Sequence, residues 1–303
     1  MANIPSWVYK LLIVFATIIW GFSFVVMKDV VTVLPPAWLL GMRFLFAGAL
    51  LLVILRKRVM RFCSRKVVTY GFILGVLDFT AFWLQTVGLK HTTPGINAFL
   101  TATYCVLVPF AWWLIARKRP TAFNIVAAIV AVCGIWLVSV SSSGETLSIG
   151  FGEAMTLGCA VAFAAHIVAV SKFAQKCDAL VLTVFQFIAE GALGIVFGAA
   201  TETFPGIAAF TPEIIGQMLF LAVFASVVAF GIQNVSLAHV PPTQASLLLS
   251  LESVFGVVFS ILLYGEQMTL RLVVGFVLIF AAIVISETLP LKEKPCRRKT
   301  TSS

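Results

Sequence analysis

Ten apolar runs of about twenty residues each make up most of the chain, and they restrict its fold more than any other feature. At a rise of 1.5 Å per residue, a helix of about this length crosses the hydrocarbon core of a bilayer. Hydrophobic residues make up 61% of the 303 residues, and charged residues only 11%. A soluble globular fold could not withdraw so much apolar surface from water. The sequence therefore predicts an all-α, polytopic membrane protein.

Proline, glycine and charged residues separate the apolar runs, as expected where helices end. The ten predicted transmembrane helices span residues 8–28, 36–55, 67–89, 95–116, 121–140, 151–172, 179–200, 213–236, 243–263 and 269–288. Pro109 differs from the other prolines because it lies deep within the fourth run. Since proline lacks a backbone N–H, we predict a bend in the fourth helix.

Lysine and arginine are distributed unevenly between the two sides that these helices define. If the N-terminus is cytoplasmic, 17 of the 21 basic residues fall in cytoplasmic segments, and only Lys28, Lys90 and Arg271 fall outside. This bias predicts an inner-membrane protein with both termini in the cytoplasm. The net charge of +9 then reflects membrane topology and not nucleic-acid binding. Membrane lipid is the expected partner of the basic loops.

The two halves of the chain resemble each other. Residues 89–119 are related to residues 237–266, with Leu89, His91 and Pro94 matching Leu237, His239 and Pro242. Because each copy contains five helices, an odd number, the copies must cross the membrane in opposite orientations. We therefore predict two inverted five-helix repeats, at residues 1–140 and 151–288. A loop at residues 141–150 connects them, and residues 289–303 form a basic cytoplasmic tail.

Two pairs of glycines lie four residues apart within apolar runs, Gly71 with Gly75 and Gly194 with Gly198. Small residues at this spacing line one face of a helix and let a second helix approach closely. These pairs predict tight helix packing and no chemistry.

Five ionisable residues lie within the predicted helices: Arg43, Asp78, His166, Glu190 and Glu252. Each costs about 2.5–3.5 kcal/mol to insert into a bilayer, so each is a candidate functional residue. Arg43 either binds a substrate carboxylate or forms a buried ion pair with Asp78 or Glu190. His166 could titrate near neutral pH, or it could be a packing residue with its hydrogen bonds satisfied.

Asp78, Phe82 and Gln85 share one face of the third helix, and Tyr104 lies on the fourth. A carboxylate, an aromatic ring and an amide on one face are typical of a cavity wall for a small amphiphilic solute. The alternative is an aromatic stripe that faces lipid. We hypothesise that Asp78 and Glu252 approach from opposite halves and line a central cavity. Glu252 could instead have only a packing role.

No motif in the sequence indicates catalysis, a metal or a cofactor. The chain has no GxxxxGK[ST] segment, no HExxH and no GxSxG, and its six cysteines include no CxxC pair. The sequence therefore predicts that the protein is not an enzyme and uses no cofactor.

Three stretches resemble the EamA family of the drug/metabolite transporter superfamily. They are WGFSFVVMK (residues 20–28), AFLTATYCVLVPFAWWL (98–114) and ASLLLSLESVFGVVFSILLYGEQMTLRLVVGF (245–276). The chain departs from the family at Ser253, where proline is usual, and at Lys118 and Arg119, where the first half lacks the Gly-Glu pair. The serine predicts a ninth helix that is straighter than in the family.

This resemblance implies a ten-helix carrier with a central cavity between two inverted halves, often an exporter of amino acids or related metabolites. We therefore expect a secondary transporter that moves a small metabolite out of the cell by alternating access. The alternatives are a lipid or peptide flippase, a membrane scaffold that transports nothing, and a membrane-embedded enzyme.

Overall fold

The computed structural model describes residues 5–116, 120–139, 149–174, 176–237 and 248–288. Nearly all of these residues are helical, as predicted. The helices are α1 (Ser6–Val33), α2 (Pro36–Ile54), α3 (Arg56–Phe62), α4 (Arg65–His91), α5 (Pro94–Ala102), α6 (Tyr104–Ala116), α7 (Ala122–Ser139), α8 (Phe151–Ala174), α9 (Ala179–Thr201), α10 (Pro212–Phe220), α11 (Ala229–Leu237), α12 (Leu251–Phe259) and α13 (Leu270–Thr288). A 3₁₀ turn covers Ile207–Ala209, and π-helical segments cover Leu221–Val228 and Ser260–Tyr264.

Seven of the described segments are long and apolar enough to cross a membrane: Trp7–Val33, Pro36–Ile54, Arg65–His91, Pro94–Leu114, Phe151–Ala174, Ala179–Thr201 and Pro212–Gln233. Three further apolar helices are shorter: Ala122–Val138, Leu251–Tyr264 and Leu270–Ser286. Each of the ten predicted runs overlaps one of these segments. The start of the ninth run, most of the connecting loop and the C-terminal tail lie outside the described residues. The count of ten spans and the inverted repeat remain predictions.

Local sequence explains where several helices begin. Pro36, Pro94 and Pro212 lie in the first turn of their helices, where the missing N–H needs no partner. The hydroxyls of Thr93 and Thr211 accept hydrogen bonds from the backbone N–H three residues later, both at 3.3 Å. These side chains cap the helix N-termini, and the observed starts fall within one residue of the predicted ones.

The fourth and ninth apolar runs are interrupted near their middles, at Thr103 and Ser250. At each point a backbone N–H bonds the carbonyl three residues earlier, from Val106 to Thr103 at 3.0 Å and from Ser253 to Ser250 at 3.1 Å. This spacing tightens the helix locally. The first interruption precedes Pro109, which lies inside α6. This interruption is separate from the bend predicted at Pro109, which stays a prediction.

The ninth run departs from a regular α-helix at Ser250, although Ser253 stands where the family has proline. That this helix is straighter than in the family stays a prediction. The Ser253 hydroxyl and N–H both donate to the Ser250 carbonyl, at 2.7 and 3.1 Å. A serine hydroxyl that bonds the backbone within a helix tends to bend it. The turn at Ser250 therefore forms without a proline.

Helices from the two halves of the chain pair with each other. α2 packs along α9, α4 packs along α8 and α9, α12 packs against α1 and α5, and α7 packs along α13. Glycines permit the closest of these approaches: an added Cβ at Gly194 would lie 2.5 Å from the Gly41 nitrogen, and one at Gly75 would lie 2.7 Å from the Ala189 Cβ. The predicted tight packing at these glycines is confirmed.

Polar contacts lie at the two ends of the bundle, which we name the Lys28 end and the Arg58 end. Lys28 Nζ donates to the carbonyls of Leu89 (2.8 Å) and Thr92 (2.7 Å), where α4 ends. At the other end, Arg58 forms a salt bridge of 2.8 Å with Asp178, which caps α9. Each end therefore has polar contacts that fix the helix termini.

Replacing Asp178 with asparagine is expected to cost less than about 1 kcal/mol at neutral pH, because Arg58 is half-exposed and asparagine still caps α9. Burial alone would raise the pKa of Asp178, but hydrogen bonds from Arg58 and the Val181 N–H outweigh it and lower the pKa. A lowered pKa means that this stabilisation is present above the unfolded pKa of about 4 and is lost as the pH falls through the folded pKa.

Unfolding midpoints of the wild type and of Asp178→Asn, measured in detergent at pH 7 and at pH 3, test this expectation. The difference between the two proteins should shrink at pH 3. A difference that is independent of pH would contradict it. Asp178→Ala, which also removes the cap, should be about 1 kcal/mol less stable than Asp178→Asn.

Candidate functional site

Four of the five predicted ionisable residues meet in one buried group, which we name the Arg43 cluster. It consists of Arg43, Asp78, His166, Gln186, Glu190 and Ser226. α2, α4, α8, α9 and the π-helical segment Leu221–Val228 contribute its members. Arg43, Asp78 and Glu190 are at most 1% exposed. So many polar groups in an apolar interior are costly to bury, which marks this cluster as a candidate functional site.

Asp78 and Arg43 make the direct contacts of the cluster. Gln186 Nε2 donates to Asp78 Oδ2 at 2.6 Å, and His166 Nδ1 lies 3.6 Å from Asp78 Oδ1. Arg43 Nε donates to Ser226 Oγ at 2.9 Å, and Arg43 Nη1 lies 3.5 Å from the Met27 sulfur. Asp78 is therefore held mainly from the second half of the chain.

The Arg43 guanidinium also lies against two aromatic rings. Its central carbon is 4.8 Å from the ring centre of Phe44 and 5.2 Å from that of Phe82. A cation over an aromatic face is stabilised by the negative charge of the ring face, and more strongly where water is absent. These rings therefore support a charged Arg43 in the apolar interior.

Several polar atoms of the cluster have no hydrogen-bond partner among the described residues. With both carboxyl groups ionised, they are both oxygens of Glu190, Oδ1 of Asp78 and Nε2 of His166. The Glu190 and Asp78 carboxyl groups also lie close enough to share a proton. Arg43 is close enough to Glu190 and Asp78 for electrostatic attraction, but its hydrogen bonds go elsewhere. Buried polar atoms without partners are rare and costly, so the cluster has capacity to bind a proton, water or a polar ligand.

A second polar group, the Glu252 cluster, lies where α4, α5, α6, α8 and α12 meet. The Tyr104 hydroxyl interacts with the Glu252 carboxylate. The other contacts within the group are Gln85 Nε2 to Thr101 Oγ1 (3.1 Å), Thr101 Oγ1 with Cys159 Sγ (3.6 Å) and Asn97 Nδ2 to Thr156 Oγ1 (2.7 Å). This cluster has more of its hydrogen bonds satisfied than the Arg43 cluster.

Aromatic rings lie between the two clusters. Phe82 contacts the guanidinium of Arg43 on one side and the ring of Phe163 on the other, with ring centres 5.1 Å apart. The Phe163 ring centre is 6.2 Å from that of Tyr104. Phe163 is only partly buried and packs against both apolar cores of the protein. Phe82 and Phe163 therefore separate the two polar groups.

The structure brings some predicted site residues together and keeps others apart. Arg43, Asp78, His166 and Glu190 form one cluster, and Gln85, Tyr104 and Glu252 belong to the other. Asp78 and Gln85 share a face of α4, but they are seven residues apart, which is about 10 Å along the helix. All the predicted site residues are buried, so none belongs to an aromatic stripe that faces lipid.

Two members of the Arg43 cluster, Gln186 and Ser226, were not predicted from the sequence, because only ionisable residues were considered within their helices. Both are uncharged polar residues inside long apolar runs, and a search for any polar side chain in those runs would have found them. Glu266 was not among the predicted site residues because it lies just beyond the ninth predicted helix; it acts at the Lys28 end. There Glu266 accepts hydrogen bonds from the Thr93 hydroxyl and from the Gly95 N–H at 3.1 Å. It therefore ties the segment after α12 to the N-terminus of α5.

Replacing Glu266 with glutamine is expected to loosen the start of α5, because hydrogen bonds to a charged group are worth about 1.5–3 kcal/mol and those to a neutral amide about half as much. Amide hydrogen exchange at residues 93–97 should become about tenfold faster. Glu202→Gln is the matched control, since Glu202 caps α2 at the same end through the N–H of Ala37 (3.0 Å). It should accelerate exchange at the start of α2 and leave residues 93–97 unchanged. Equal effects of both variants on α5 would contradict the local role of Glu266.

The chain matches the model of the EamA-like transporter family over residues 7–140 and 150–288. An uncharacterized transporter of Archaeoglobus fulgidus is 29% identical over 88% of this chain and 82% of its own length. The uncharacterized transporter YvbV of Bacillus subtilis is 26% identical over 95% and 94% of the two chains. Protein PagO of Salmonella typhimurium is 26% identical over 95% and 96%.

A solved crystal structure superimposes with a TM-score of 0.67 over 95% of this chain and 98% of its own, at 15% identity, and shares the fold. The match to the family covers both halves, and two of these relatives, covered over 82% and 94% of their lengths, are named as uncharacterized transporters. Together with several helices apolar enough to span a bilayer, these matches show that the chain is a membrane transporter of the EamA-like family within the drug/metabolite transporter superfamily.

Proposed function

We propose that the protein is a secondary transporter that moves a small zwitterionic metabolite, an amino acid or a related compound, out of the cytoplasm across the inner membrane. The observation on which this rests is the Arg43 cluster. It combines a buried guanidinium with two buried carboxylates, and it has polar atoms free to bind a ligand. The substrate would bind there, and alternating access would release it.

A zwitterion complements these charges. A guanidinium presents paired N–H donors to a carboxylate, and Arg43 directs only its Nε to Ser226. Asp78 and Glu190 can accept the three N–H donors of an ammonium group. A bound amino acid would therefore supply partners for both signs of charge without adding net charge to the apolar interior. A purely anionic solute would face two carboxylates and would bind poorly.

The pairing of helices supports two inverted repeats of five helices each. If the halves are exchanged, α1 takes the place of α8, and α12 takes the place of α5 and α6. The contact of α1 with α12 is then equivalent to the contacts of α8 with α5 and α6. In the same way, the contact of α4 with α8 is equivalent to the contact of α11 with α1. The pairs α2–α9, α5–α12 and α7–α13 each join corresponding helices. The interruptions at Thr103 and Ser250 also fall within one residue of corresponding positions. Ten spans arranged in this way would give two related conformations open to opposite sides.

Contacts at the Lys28 end suggest which side is closed. With cytoplasmic termini, this end faces outward. There Glu266 bonds Gly95, Glu153 accepts from the Thr92 hydroxyl at 3.1 Å, and Glu202 accepts from the N–H of Ala37. Each contact joins the two halves of the chain. These contacts would have to break for a substrate to leave on the outer side.

Counterflow in proteoliposomes tests the proposal. Liposomes are preloaded with individual unlabelled amino acids or metabolites, and uptake of the labelled compound is followed. We expect one zwitterionic solute class to accelerate uptake and Asp78→Asn to reduce the rate at least about 100-fold. Asp29→Asn is the matched control, because Asp29 is exposed at the Lys28 end. Glu252→Gln reports separately on the second cluster.

Three outcomes would contradict the proposal. If Asp78→Asn folds and transports like Asp29→Asn, the Arg43 cluster is not the substrate site. If only anions or only lipids exchange, the zwitterionic substrate class is wrong, and a lipid flippase becomes the better description. If no solute of any of these classes exchanges with the folded wild type, transport of small metabolites is itself excluded.

A further inference from the structure

Two depressions lie along the seam between α4 and α9, on the outer surface of the helix bundle, and neighbouring residues of α4, Val67 and Val68, line one each. The first is a polar pocket of about 420 Å³ at the Arg58 end, lined by Phe62, Ser64, Lys66, Val67, Lys176, Cys177 and Asp178. The second is an apolar groove of about 320 Å³, lined by Val68, Phe72, Phe185, Ile188, Ala189, Ala192, Leu193 and Val196. Neither belongs to the polar clusters of the interior.

The polar pocket lies where the apolar spans begin. The spans of α4 and α9 start at Arg65 and Ala179, so Lys66 and Lys176 are at the boundary between membrane and water. Both lysines are exposed. The one carboxylate that lines the pocket, Asp178, is already paired with Arg58. The pocket therefore presents uncompensated positive charge at the depth where lipid phosphate groups lie.

The groove continues from this pocket into the membrane. On α9, its lining begins at Phe185 and ends at Val196, which is about 10 to 27 Å from Asp178 along the helix axis. Every lining residue is apolar, and Ala189 and Ala192 leave space between larger neighbours. Phe72 and Val196 are 54% and 67% exposed. This surface lies at the depth of the hydrocarbon chains.

We propose that the seam between α4 and α9 binds one anionic phospholipid, with its phosphate group at Lys66 and Lys176 and an acyl chain along the groove. The two lysines favour an anionic phospholipid over a zwitterionic one, because only the anionic headgroup carries a net negative charge. The groove favours a lipid over a free phosphate ion, which would leave the apolar surface without a partner. A helix of another chain could fill the groove, but it would not neutralise the lysines.

Native mass spectrometry of the full-length protein, exchanged into mixed micelles with phosphatidylglycerol and phosphatidylcholine, tests this inference. We expect one phosphatidylglycerol to be retained preferentially. Lys66→Gln with Lys176→Gln should lower this preference about 30-fold, because each basic residue near the surface contributes roughly a fivefold preference. Arg56→Gln with Lys57→Gln is the matched control, since both residues are exposed at the same end and neither lines the pocket.

A second pair of variants tests the groove. Ala192→Phe fills it from the exposed face of α9, where the protein should tolerate a larger apolar side chain, and it should reduce retention of the lipid at least about fivefold. Ala200→Phe makes the same change at an exposed position outside the groove and should have no effect.

The possible results separate the alternatives. Equal losses in both charge variants would show only a general attraction to the basic loops and would overturn the site. Release of the lipid by millimolar inorganic phosphate, with no effect of Ala192→Phe, would indicate an anion site without an acyl chain and would also overturn it. Retention of no lipid, or retention of a second protein chain in its place, would do the same. These results are independent of transport, so failure of the lipid site leaves the proposed function untouched.

Discussion

Replacing Arg43 with methionine is expected to destabilise the folded protein by about 3–5 kcal/mol and to abolish transport. Methionine fills a similar volume, so the loss reflects charge more than packing. Without the guanidinium, Asp78 and Glu190 would share an apolar interior with no cation from α2 to offset them. Removing the cation that offsets buried carboxylates costs more than the attraction itself contributes, because the remaining negative charge stays buried. Thermal unfolding in detergent and counterflow measure the two effects.

A charge-balanced variant distinguishes the structural role of Arg43 from its functional one. Arg43→Met combined with Asp78→Asn and Glu190→Gln leaves no unbalanced carboxylate. We expect it to recover most of the lost stability while transport remains absent. If the triple variant is as unstable as Arg43→Met alone, the contacts of the guanidinium with Ser226, Phe44 and Phe82 explain the loss, and the electrostatic argument is wrong.

Replacing Gly194 with alanine is expected to destabilise the protein by about 1–3 kcal/mol, by forcing α2 away from α9. The added Cβ would lie 2.5 Å from the nitrogen and 2.6 Å from the Cα of Gly41. These are backbone atoms, so the clash cannot be relieved by rotating a side chain. The helices must separate, and the contacts along their whole interface weaken. Unfolding midpoints in detergent report the change.

Gly216→Ala is the matched control for Gly194→Ala. Gly216 also lies in a helix, α10, but an added Cβ there meets nothing within 4 Å. Alanine at this position should stabilise the protein by about 0.5–1 kcal/mol through its higher helix propensity. Opposite signs of the two effects would support the packing argument. A destabilisation of similar size at both positions would show that loss of glycine itself is responsible.

Neutral substitutions are expected to have different effects in the two polar clusters. The Arg43 cluster has several unpartnered polar atoms and takes ionisable side chains from four helices, so a neutral substitution there removes part of a balanced set of charges. The Glu252 cluster is mainly a network of neutral hydrogen bonds with one carboxylate. Under the proposed function, the Arg43 cluster binds the substrate and the Glu252 cluster stabilises the packing around it.

Features that depend only on residues close together in the sequence could be predicted from the sequence. The lengths of the apolar runs, the prolines at Pro36, Pro94 and Pro212, and the glycine pairs predicted helices, their starting points and their close-packing faces. The stretches around residues 20–28, 98–114 and 245–276 indicated the family, which the comparisons confirm. The five buried ionisable residues could also be named, because a charge within an apolar run is conspicuous.

The sequence alone thus determined that the chain is helical, membrane-embedded and a member of a transporter family, since hydropathy and helix length are local properties. Only the tertiary structure decided that Asp78 meets His166 and Gln186 from the other half, that Asp78 and Gln85 join different clusters despite sharing a helix face, and that Glu266 closes on the start of α5. The physical reason is that these contacts depend on which helices pack together. Helices pair where small residues such as Gly194 let them pack closely and where buried polar atoms from distant parts of the chain can bond each other. Both conditions involve two helices, so neither can be read from the sequence of one helix.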